Sequence, residues 1–166
     1  MQLQHEQADM LVAKQYDLMK SAREVVLDFV STLLHADYLG EVPAFPRKSL
    51  RDLQVHTANV YIHWIGRFAM ENTQPYLEEK KIGSAAAMRK QFEQVDRLVD
   101  RFIQQYSEQW QDPFTKPVPG EEQSLTTTPL AVFTHVITHE FHHKGQLMTM
   151  ARLLGYTPPD TDVIRL

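Results

Sequence analysis

The sequence predicts an all-α fold, a bundle of four long helices joined by loops. Three observations point there. Apolar residues recur at three- and four-residue steps through four long stretches, which is the helical period. The prolines gather mainly at 43–46, 113–119, 129 and 158–159, so the breaks fall between those stretches. No segment alternates apolar and polar residues with period two, so no strands are expected.

The first helix is expected over about residues 4 to 35, with Leu11, Gln15, Leu18, Ala22, Val25, Val26, Phe29 and Leu33 on its inner face. Residues 38–47 contain Gly40, Pro43 and Pro46 and form a connection. Ser49 then has the character of an N-cap, with Asp52 three residues on as the acidic partner of a capping box. The second helix continues to about Asn72, and residues 73–83 cross the end of the bundle. Ser84 caps the third helix, which runs to about Ser107 through Met88, Phe92, Val95, Leu98, Val99 and Phe102. Residues 111–127, with three prolines and Gly120, read as a long loop. Thr128 followed by Pro129 marks a helix start, because proline suits the first helical position. The fourth helix ends near Leu154, where Gly155 fits the C-cap and Pro158–Pro159 forbid continuation.

A chain of 166 residues with 43% hydrophobic and 23% charged residues has the balance of one globular domain over 1–166, not of a disordered chain. No apolar run reaches the roughly 20 residues needed to span a membrane. The start (MQLQHEQADM) resembles no targeting peptide, so a cytoplasmic protein is expected. Net charge is −4 and the basic residues are scattered, which argues against a nucleic-acid partner. With no cysteine, any metal must be held by imidazole or carboxylate, which suits zinc, nickel, iron or manganese.

Four of the eight histidines fall within nine positions, His135, His139, His142 and His143. At about 100° per residue, His139 lies at the edge of the fourth helix's apolar face and His143 about 40° further round, inside it. Imidazoles at i and i+4 share a helix face, a common way to offer two ligands to one ion. The competing reading is a pair of hydrogen-bonded core histidines. His135 and His142 fall further from the core, while Gln146 lies close to His139 on the wheel. A third ligand must come from another helix. His5 and His35, near the ends of the first helix, have no companion. The second helix offers His56 and His63, two turns apart along nearly one line, and the wheel does not choose between them.

The run His139-x-x-x-His143-Lys144-Gly145-Gln146 resembles the fourth-helix signature of the DinB/YfiT-like superfamily. Leu53-x-x-His56 followed by Trp64, and the closing Gly155-Tyr-Thr-Pro-Pro-Asp160-Thr-Asp162, resemble that superfamily's other segments. The resemblance implies an up-down-down-up four-helix bundle, often dimeric, with a divalent metal held by His56, His139 and His143. It is the resemblance that favours His56 over His63. Relatives of this kind include transferases and isomerases that use thiols such as bacillithiol or mycothiol, and many others without known activity.

The function expected from this is metal-dependent transfer of a small thiol to a small electrophile. Asn59, His63, His135, Glu140 and Gln146 are placed to orient ligands or substrate around the site. A non-catalytic metal-binding stress-response protein would carry the same ligands. A third reading is a metallohydrolase, since His139-Glu140-x-x-His143 also matches the zinc-protease helix. Its context is missing: Thr149 stands where the metzincin extension needs histidine, and no substrate-binding sheet is expected. Finally, Leu130, Ile137, Phe141 and Met148 form a second apolar stripe opposite the histidines. The stripe predicts a homodimer, unless the 111–127 loop covers it.

Overall fold

The computed structural model describes residues 2–45 and 48–165, with side chains from residue 7 onward. Pro46, Arg47 and the side chain of His5 therefore lie outside the described part. The chain is mostly helical. Helix α1 spans Gln2–Ser31, a short α2 spans His35–Leu39, and α3 spans Leu50–Tyr61 before continuing as a π-helix over Ile62–Ala69. A 3₁₀ turn at Glu79–Lys81 precedes α4, Ala85–Gln105, and α5 closes the order at Pro129–Leu153. Strands β1 (Phe114–Pro117) and β2 (Ser124–Thr127) pair antiparallel between α4 and α5.

The caps are where the residue types put them. Ser49 accepts from the Asp52 amide and Asp52 returns the bond to the Ser49 amide, a full capping box. Ser84 and Thr128 accept from Ala87 and Ala131. Gly155, at φ +90°, takes the left-handed backbone that ends α5.

Three expectations need correction. The first helix stops at Ser31, not near residue 35, because hydroxyls of Ser31 and Thr32 take the carbonyls of Asp28 and Phe29. Its inner face is right at Ala22, Val26 and Leu33, which are buried, but wrong in the first half: Leu11, Gln15 and Leu18 are exposed, whereas Val12, Tyr16, Met19 and, further on, Arg23 are buried. A hydrophobic wheel misplaces this face because two of its members, Tyr16 and Arg23, are polar and find buried partners. Residues 111–127 contain a hairpin, not a plain loop. Its four-residue strands are too short and proline-interrupted to show an alternating pattern.

The hairpin braces the end of the π-helix. Phe114 packs on Phe68 and Tyr106, and Lys116 donates to the Ala69 carbonyl, which Tyr106 also reaches. Opposite, Asn59 holds the extended residue Leu77 through both backbone groups, at 3.0 and 2.7 Å. The core lies between α1, α3 with its π extension, α4 and α5. Of the second α5 stripe, Met148 is buried in that core, Ile137 and Phe141 are half-buried against it, and Leu130 is exposed. Among the described residues no helix is long and apolar enough to cross a membrane.

Candidate metal centre

Helix α3 carries His56 about two turns past its cap, and α5 carries His139 and His143 one turn apart. The packing of α3 on α5 brings the three rings together. His139 Nε2 lies 3.2 Å from His56 Nε2 and 2.8 Å from His143 Nε2. One ligand atom from each residue fits within a 4.8 Å span, and all three side chains are partly exposed, so the cluster opens to solvent.

The spacing fits an ion better than it fits hydrogen bonds. With metal–nitrogen bonds of about 2.0–2.1 Å, two ligand nitrogens sit about 2.9 Å apart at right angles and about 3.4 Å apart at the tetrahedral angle. The observed pairs lie near that range. Hydrogen bonding alone leaves a deficit. His143 Nδ1 faces the Gln146 carbonyl at 2.7 Å, so it carries the proton and Nε2 carries the lone pair. His139 Nε2 can give its one proton to His143, but then it cannot also accept from His56.

Electrostatics keep the trio neutral, the form that binds metal. Burial first, then the neighbouring imidazoles His143, His56, His135 and His142, push His139 down to about 4. Burial, His143 and the Lys48 ammonium lower His56. Burial lowers His143 against the opposing Gln146 bond, with His142 and Lys48 adding to the shift.

The other expected residues divide. Gln146 is at the site and spans His143 and His142, whose Nε2 lies 3.1 Å from its amide nitrogen. His142 itself is exposed. Asn59 borders the cleft beside His56, but its amide is committed to Leu77. His63 is outside the cluster, bonded through Nδ1 to the Tyr76 hydroxyl at 2.7 Å. His135 is exposed, its ring 5.6 Å from that of His139 and 5.1 Å from Trp64.

Glu140 points the other way. It is 4% exposed and takes Arg23 at both oxygens, 2.7 and 2.9 Å, while the Tyr61 hydroxyl donates to it at 2.5 Å. Arg23 also reaches Asp96, which accepts from Tyr16. Burial opposes the Arg23 charge, yet Glu140 together with Tyr16 and Tyr61 holds the guanidinium well above its ordinary range. Both oxygens of Glu140 are thus used in the core, so it cannot serve as a water-activating base beside the imidazoles. The protease-like pattern is a coincidence of spacing. The sequence reading missed Arg23, Tyr16, Tyr61 and Asp96. A charged residue at the i+7 position from Tyr16 on a buried face was the available signal.

The fold and the cluster define a class: a mostly helical protein with a solvent-open trio of imidazoles between two helices. The family model described as DinB family matches residues 5–166, and the chain belongs to that family. Its fold is similar to that of a protein from Exiguobacterium sibiricum 255-15 described as a DinB family member, with a TM-score of 0.59 at 14% identity. That likeness covers 94% of this chain and 97% of the other. No curated protein is significantly similar to the chain.

Proposed function

We propose that this chain binds one divalent ion through Nε2 of His56, His139 and His143, and uses the centre to transfer a small thiol to an electrophile. The observation that carries the reading is the convergence of three neutral imidazole nitrogens on one solvent-open point. Family membership supports it, through the resemblance to thiol-using relatives. Zinc, nickel, iron and manganese all suit three imidazoles. When bound, such an ion would lower the pKa of a coordinated thiol toward neutrality.

The chain's own residues supply the rest. Gln146 fixes the His143 tautomer, and the α3–α5 packing sets the spacing of the nitrogens. The chain has no cysteine, so the sulfur must arrive with a substrate. In the reaction the sulfur forms the new S–C bond, its proton passes to solvent, and the leaving group departs with its electron pair. We further infer that residues 1–166 form one domain, an up-down-down-up four-helix bundle, that works as a cytoplasmic homodimer.

The test is to load the protein with zinc and supply bacillithiol or mycothiol with an aryl halide. A saturable rate that disappears in His139→Ala is expected. Full metal loading without any rate above the uncatalysed background would leave a non-catalytic metal-binding protein.

A further inference from the structure

Next to the imidazoles an open cleft of about 380 Å3 is lined by His56 and Asn59 of α3, by Lys48 just before the cap, and by residues 77–80. Its far wall is held in place, because Asn59 bonds both backbone groups of Leu77. Of the two carboxylates on this wall, Glu78 is taken by Lys81 at 2.7 Å, and Glu79 offsets the charge that its neighbour Lys80 brings to the cleft. Lys48 and Lys80, by contrast, meet no carboxylate among the described residues. Lys48 and His56 line the same cleft, so the ammonium group stands on the side of the histidine cluster that faces solvent.

The charge balance is uneven. Three neutral imidazoles contribute nothing against a divalent cation, and Lys48 adds a further positive charge on the same side. A ligand bringing a thiolate alone would leave this side strongly positive. One bringing a thiolate and a carboxylate would match the cation and give Lys48 a partner.

We propose that the cleft is a carboxylate subsite of the three-histidine centre, in which Lys48 pairs with the carboxylate of a small thiol held at His56, His139 and His143. The inference rests on the metal-and-thiol reading above and adds the chemical class of the thiol. Lys48 is a positioning residue, exposed in the free protein and free to swing toward an anion.

The test uses cobalt-loaded protein titrated with 3-mercaptopropionate and with its uncharged methyl ester, read by the thiolate-to-cobalt absorption band. Wild type is expected to favour the acid over the ester by about three- to fivefold more than Lys48→Met does, the range of an exposed ion pair. Cobalt stoichiometry and the ester's affinity should be the same in both proteins. An acid-to-ester ratio that is equal in wild type and Lys48→Met overturns the subsite while leaving the metal reading intact. Failure to take up cobalt, or uptake with no spectral response to either thiol, overturns the reading beneath it and the subsite with it.

Discussion

The Gln146 carbonyl oxygen lies 2.7 Å from His143 Nδ1, so the lone pair of His143 Nε2 faces His139. A side chain one turn away thereby decides which imidazole nitrogen is available to an ion. Replacing Gln146 with Leu frees the tautomer without touching a ligand. Metal affinity should fall about 10- to 100-fold, measured by competition with a chromophoric chelator. An unchanged affinity would mean that helix packing alone orients His143.

The trio should make the metal-free protein acid-sensitive. All three histidines have folded pKa values below the unfolded value near about 6.5, so the unfolded chain binds protons first as pH falls. Their contribution is fully present above that value and is lost progressively as pH falls toward about 4, where His139 titrates. Urea unfolding in chelator at pH 7 and pH 5 should show this loss, and His139→Ala should reduce it. Metal affinity should fall over the same interval, since protons compete for the nitrogens.

Glu140 belongs to the core and not to the centre. Glu140→Ala leaves the Arg23 guanidinium, which is 3% exposed, with Asp96 as its remaining carboxylate partner and should cost about 3 kcal/mol of stability in chemical denaturation. Where the variant remains folded, its metal content should match wild type. Loss of metal with stability intact would instead place Glu140 at the ion.

Asn59→Ala should release Leu77 and the segment that walls the cleft. Hydrogen exchange at the Leu77 amide should accelerate, with a global loss of about 1–2 kcal/mol for the two missing bonds. Exchange as slow as in wild type would show that the segment is held by other contacts.

The dimer inference has a direct check. Leu130, Leu11 and Leu18 leave apolar surface on α5 and α1 at 38, 60 and 48% exposure. Sedimentation at micromolar concentration should give a dimer, and Leu130→Lys should weaken it. A wild-type monomer at that concentration removes the inference.

Much of the helical layout was legible because its signals are local. Ser49 with Asp52, Ser84, Thr128 with Pro129, and Gly155 each act within one turn of themselves. The pairing of His139 with His143 was legible for the same reason. Which histidine of α3 joins them depends on how two helices cross, and the wheel left His56 and His63 equal. The structure draws His56 to the pair and gives His63 to Tyr76. Polar residues with distant partners were the least legible. Arg23 and Glu140 are 117 residues apart in sequence, and each reads as surface until the other is in place. The hairpin escaped for a different reason, since its strands are four residues long and the first ends in Pro117, too short a stretch to show alternation in the sequence.

The most direct test is elemental analysis of untagged protein, comparing wild type with His143→Ala after equal exposure to zinc, nickel and manganese. About one equivalent of metal in wild type, lost in the variant, is the predicted result. Wild-type protein that emerges with no metal after all three incubations would contradict the account, and would make the trio a cluster of neutral core-edge histidines.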